Sequence, residues 1–192
     1  MVKAKRFGLL LAPGAGSDSS SPALVEVENV VGNEIAVRRM DFPYRLEGRK
    51  APDRQPKLVE SVVAEAERFC DEQDLEPSNL FLGGRSMGGR MCSVAVAEGL
   101  DAAGLVLMSY PLHPPGKPEK LRTEHFPDIA CPALFVSGPR DAFASVDELT
   151  AHTRQVSGSV DLKISGKGDH SMKGQESLVA SIIWEWLRPR LR

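Results

Sequence analysis

Short apolar runs alternate with helical patterns along the chain, and this alternation constrains the fold more than any other feature. The runs are Phe7–Ala12, Ile35–Met40, Leu80–Leu82, Leu105–Ser109, Ala133–Ser137 and Val160–Ser165. The spacing predicts a helix over Lys57–Glu72, where Leu58, Val62, Ala66, Phe69 and Cys70 fall on one face at three- and four-residue intervals. It predicts another over Gln175–Leu187, through Leu178, Val179, Ile182, Ile183, Trp186 and Leu187, ended by Pro189. A chain that alternates strand and helix buries a parallel sheet between two helical layers. Strands covered on both faces read as continuous apolar runs. Phe7–Ala12, Leu80–Leu82, Leu105–Ser109 and Ala133–Ser137 read that way, whereas Ile35–Met40 (IAVRRM) and Val160–Ser165 (VDLKIS) carry charges. The charged pair belongs at the edges, which an order of 2-1-3-4-5-6 achieves.

The 192 residues suit one domain, so residues 1–192 are expected to form a single unit. The longest irregular stretch, Tyr110–Cys131, holds Pro111, Pro114, Pro115, Pro118 and Pro127. Proline at that density disfavours helices, so a loop or small flap is expected there and not a cap domain. The site beneath it should then be open and shallow.

Several function classes drop out. The net charge is −2 and no basic run occurs, which argues against a nucleic-acid partner. No apolar stretch approaches the ~18 residues of a membrane span. Cys70, Cys92 and Cys131 form no C-x-x-C pair, so neither a disulfide framework nor a zinc knuckle is indicated. Reduced cysteines in a cytoplasmic protein are the expectation. Lys3, Lys5 and Arg6 before Phe7–Ala12 give the outline of a signal peptide, but the apolar run falls short of the usual ~7–15 residues and serves better as a strand. There is neither a G-x-x-x-x-G-K-[ST] phosphate loop nor an H-E-x-x-H metal helix, so no cofactor and no metal are expected.

The chemistry concentrates at Gly84-Arg85-Ser86-Met87-Gly88, a G-x-S-x-G motif between the third strand and a helix. Such a turn strains the serine backbone, lifts the hydroxyl above the sheet and leaves no room for side chains at the flanking positions. A plain helix N-cap is the competing explanation for Ser86. A serine nucleophile needs a base. A parallel sheet gathers functional groups at the carboxyl ends of its strands. His170, just past the sixth strand, meets that rule. His113 is a loop residue near the site, and His125 and His152 read as solvated. The acid that fixes the base's tautomer is expected at Asp141, after the fifth strand. Its competing role is as an N-cap for the following helix.

The glycine-rich end of the first strand, Leu11-Ala12-Pro13-Gly14-Ala15-Gly16, leaves backbone N–H groups free. The Met87 and Ala15 N–H groups are the expected oxyanion donors, with Gly14 the next choice after Ala15; an ordinary loop entering a helix is the competing explanation. Phe42 and Tyr44, after the second strand, and His113 are expected to line the substrate pocket. Arg85, Arg90 and Arg140 flank the site and would attract an acidic substrate, although solvation or helix packing is their plainer role.

These residues resemble the alpha/beta-hydrolase superfamily, and within it a small branch related to dienelactone hydrolases. That branch includes testis-expressed hydrolase-like proteins and the hydrolase-like subunit of the non-specific lethal histone acetyltransferase complex. The similar segments are Leu11–Gly16, Gly83–Arg90, Tyr110–Pro118, and Val136-Ser137-Gly138 leading to Asp141. The resemblance implies an alpha/beta-hydrolase fold lacking the full fold's first two strands. It implies a Ser86–Asp141–His170 hydrolase but no well-defined substrate; cleavage of a small ester or thioester is the expected reaction. Dienelactone hydrolases proper carry cysteine at the nucleophile position, so their substrate does not transfer. Some relatives work inside protein complexes, which makes a protein partner, or a non-catalytic interaction module on the same scaffold, the rival expectation.

Overall fold

In a computed structural model, residues 6–192 are described; Lys3 and Lys5 of the signal-like segment lie outside them. Six strands alternate with helices: β1 (Gly8–Ala12), α1 (Pro22–Val31), β2 (Ala36–Arg39), α2 (Pro43–Leu46), α3 (Gln55–Gln73), β3 (Leu80–Arg85), α4 (Met87–Ala97), β4 (Gly104–Met108), β5 (Ala133–Ser137), α5 (Val146–His152), β6 (Val160–Ile164) and α6 (Glu176–Leu187). All pairings are parallel and the strand order is 2-1-3-4-5-6, as the charge placement implied.

Strand alternation divides the core into two layers. From β1, Leu9 and Leu11 pack with Leu24 and Val27 of α1 and Val179 and Ile183 of α6. Leu10 and Ala12 face the other way, with Val62 and Phe69 of α3 and Met91 and Cys92 of α4. Burying such a leucine contributes about 1.5–3 kcal/mol. The edge charges of β2 are used on both faces. Arg38 pairs with Glu65 (3.2 Å) and Glu72 of α3, while Arg39 pairs with Glu28 of α1 (2.5 Å). Asp161 on β6 accepts from Trp186 Nε1 at 2.8 Å. One expected apolar position departs from the pattern: Leu178 is 45% exposed. No described helix is long and apolar enough to cross a membrane.

The Tyr110–Cys131 stretch contains one short 3₁₀ turn, Phe126–Asp128. It builds no core of its own. Tyr110, Leu112, Phe126 and Ile129 are buried in the α3–α4 layer instead. His125, expected in solvent, helps fasten the stretch to α4: its Nε2 lies 2.8 Å from Ser93 Oγ. Burial, with Arg90 adding to it, pulls the His125 pKa down to about 4, while Glu124 and Asp128 oppose the shift. An unfolded histidine titrates near ~6.5. Between these values the unfolded chain takes a proton that the folded chain does not, so His125 stabilises the fold fully only above that window. Stability should fall as pH drops from about 6.5 towards 4. Urea unfolding midpoints across that range should drop further for the wild type than for His125→Gln. Parallel curves would show that His125 does not contribute.

Candidate active site

The β3–α4 turn forces Ser86 into a left-handed backbone, φ 52° and ψ −119°. Such conformers are costly and persist only where the surroundings impose them. Here β1 does so. A Cβ built on Gly84 would lie 2.2 Å from the Ala12 carbonyl oxygen, and one on Gly88 would meet the same atom at 2.2 Å. A Cβ on Gly89 would reach the Gly84 oxygen at 2.7 Å, so α4 sits directly against the sheet. Ser86 stands at the N-cap position of α4, yet its side chain makes no capping bond. Its Oγ lies 2.8 Å from His170 Nε2 instead.

His170 Nδ1 lies 2.9 Å from both carboxylate oxygens of Asp141. Asp141 is buried, accepting from the Phe143 N–H at 2.8 Å and the Ser137 hydroxyl at 3.3 Å. It does not cap the next helix; Ser145 and Glu148 form the capping box of α5. The β5 and β6 loops interlock, because a Cβ on Gly138 would strike the Gly168 carbonyl at 2.7 Å. The structure therefore brings Ser86, Asp141 and His170 into one hydrogen-bonded line.

Sequence reasoning missed Phe143. Its ring stacks on the His170 imidazole, with centroids 3.9 Å apart and 26° between the planes. An aromatic residue two positions after the acid was the available signal. Arg85, for which solvation or helix packing is the plainer expectation, is half-buried and donates from Nη2 to the His170 carbonyl at 2.9 Å. Burial lowers its pKa from the ordinary value, while Asp141 and Asp169 oppose the shift. Arg140 is exposed.

The Met87 N–H opens α4, where helical geometry offers no acceptor. Ala15 sits across from it in the β1–α1 loop and, like Ser86 and Phe143, borders two hollows of ≈610 and ≈320 Å³. The first is walled by Ser17, Pro22, Ser171 and Lys173, the second by Pro52, Met91, Pro111 and Arg122. Ser86 is partly exposed where the two meet.

Phe42, Tyr44 and His113 require correction, because none of them borders either hollow. Phe42 and Tyr44 are fully buried; Pro43 starts the short α2 and turns both rings into the core, where they stack at 6.2 Å. The Tyr44 hydroxyl donates to the Ala15 carbonyl at 2.7 Å, so it braces the loop from behind. His113 is 5% exposed, with Nδ1 2.8 Å from the Pro114 carbonyl and Nε2 3.2 Å from Glu148. Among the described residues, no group of three or more His, Cys, Asp or Glu side chains is placed to hold a metal.

A family model described as an alpha/beta hydrolase domain matches residues 5–181. Solved structures share the architecture at low identity. Dienelactone hydrolase from Anabaena variabilis superposes with a TM-score of 0.80 at 20% identity, covering 99% of this chain and 89% of that one. Est1E from Butyrivibrio proteoclasticus gives 0.79 at 15%, covering 98% and 89%. An alpha-beta serine hydrolase homologue from Coxiella burnetii gives 0.78 at 16%, covering 97% and 87%.

Proposed function

We propose that this chain, which belongs to the alpha/beta-hydrolase family, is a serine hydrolase cleaving a small ester or thioester through an acyl-enzyme. The supporting observation is the unbroken line from Ser86 Oγ through the imidazole to Asp141, at 2.8 and 2.9 Å. Ser86 Oγ attacks the acyl carbon and its proton passes to His170 Nε2. Asp141 holds the ring in the tautomer that leaves Nε2 free to accept, and stabilises the imidazolium. The Met87 and Ala15 N–H groups receive the developing oxyanion. The bond to the leaving oxygen or sulfur then breaks, and His170 returns the proton to that atom. Water, deprotonated by His170, attacks the acyl carbon; the bond to Ser86 Oγ breaks, His170 returns the proton to that oxygen, and the free acid leaves. The whole 192-residue chain acts as one such domain, and its three unpaired cysteines suit a cytoplasmic setting.

A fluorophosphonate probe tests the reading: it should label the wild type and leave Ser86→Ala unlabelled. Equal labelling of both, or of neither, contradicts it. The absence of a cap carries a further expectation. Both hollows open to solvent and carry charged residues in their lining (Arg85 and Lys173 in one, Arg90 and Arg122 in the other), so kcat/KM on p-nitrophenyl esters should change less than about threefold between acetate and octanoate. A methylene fully buried in a pocket would contribute about 0.8 kcal/mol each. A rise of a hundredfold or more would reveal an enclosed acyl tunnel.

A further inference from the structure

The ≈320 Å³ hollow beside Ser86 is lined by two arginines, Arg90 and Arg122, together with Met87 and Pro111. Arg90 comes from α4, one turn after Ser86, and Arg122 from the irregular stretch after β4. Neither forms an ion pair with a carboxylate among the described residues. Arg90 gives Nη2 to Gln55 Oε1, while its Nε is buried without a partner. Burial and the positive charge of Arg90 lower the pKa of Arg122, while Tyr110 and Glu124 oppose the shift without an ion pair forming. The acidic residue lining the same hollow, Asp53, is already held by Arg49 (3.0 Å) and Lys57 (3.3 Å). Two like charges in a half-buried wall cost free energy unless an anion joins them.

We infer that Arg90 and Arg122 form an anion subsite, and that the substrate is an ester or thioester bearing a carboxylate a few atoms from its scissile carbonyl. This rests on the serine-hydrolase reading of Ser86. A carboxylate matches the planar guanidinium fork and makes charge-assisted hydrogen bonds stronger than neutral ones. Arg85 does not share this role, because it lines the other hollow and its Nη2 holds the His170 carbonyl.

The test compares charged and neutral esters of matched length. Mono-p-nitrophenyl glutarate is set against p-nitrophenyl valerate for a charge in the acyl part, and 4-acetoxybenzoate against its methyl ester for a charge in the leaving part. At least one charged ester should exceed its neutral counterpart by about tenfold in kcat/KM. That ratio should collapse towards one in Arg122→Gln and in Arg90→Gln, and shrink with added salt in the wild type. Arg188→Gln, which alters an exposed arginine paired with Glu185, should leave the ratio unchanged. Calorimetric titration with glutarate separates the subsite from the chemistry. Binding that is lost in Arg122→Gln supports the subsite even if no ester is cleaved, a result that would fault only the hydrolase reading. Charged and neutral esters turning over equally in both pairs overturns the subsite, as does glutarate binding that survives both substitutions.

Discussion

Asp141→Asn should lower kcat on any ester the protein hydrolyses by about 10⁴ while leaving the fold in place. The reason lies in the partners of the carboxylate. Asp141 receives three donors: the Phe143 N–H on Oδ1, the Ser137 hydroxyl on Oδ2, and the His170 ring N–H between them. An asparagine keeps one acceptor. The Phe143 amide is fixed in the backbone and claims the side-chain oxygen, so the new NH₂ faces His170. The imidazole must then accept at Nδ1 and carry its proton on Nε2, against Ser86. In that tautomer the base cannot take the serine proton. Steady-state kinetics at one pH, with a circular dichroism spectrum to exclude unfolding, check this. A loss below about tenfold would mean that His170 is not oriented by Asp141.

The second large effect is on stability. Gly88→Ala places a Cβ 2.2 Å from the Ala12 oxygen, 2.4 Å from the Ala12 carbonyl carbon and 2.5 Å from the Pro13 oxygen. All three are backbone atoms of β1 or the turn that follows it, so no side chain can move aside. Either α4 lifts from the sheet or β1 shifts, and both displace Ser86 from His170. Overpacking of this kind costs about 3 kcal/mol or more, and Tm should fall by about 10 °C in a chain of this length. Gly16→Ala is the matched control: nothing lies within 4 Å of its Cβ, and Tm should stay within about 1 °C. Equal melting of the two variants would mean that the motif's glycines are not there to admit β1.

How far the sequence was legible follows from these contacts. Local features carried the sheet. Arg38 and Arg39 mark β2 as an edge because only an edge strand can turn adjacent charges to helices on both faces. The hydrogen-bonded line was readable for a similar reason. Strand ends collect side chains at one rim of a parallel sheet, so Ser86, Asp141 and His170 could be chosen by position. Phe42 and Tyr44 also follow a strand end, but α2 turns them inward, and a four-residue helix leaves little periodic signal. Phe143 acts through a residue distant in sequence, His170, and Arg85 reaches His170 across 85 positions. His125 sits in an irregular stretch with no periodic signal; its hydrogen-bond partner on α4, Ser93, is 32 residues away.

The most direct test is the mass of the protein during turnover. Rapid acid quenching of the wild type with excess p-nitrophenyl acetate, followed by peptide mapping, should find one acetyl group on the oxygen of Ser86, formed with a burst of nitrophenolate. The adduct should disappear in Ser86→Ala and form far more slowly in His170→Ala. Acetylation confined to lysines or cysteines, or an unmodified Ser86 in a protein that still hydrolyses the ester, would contradict the account.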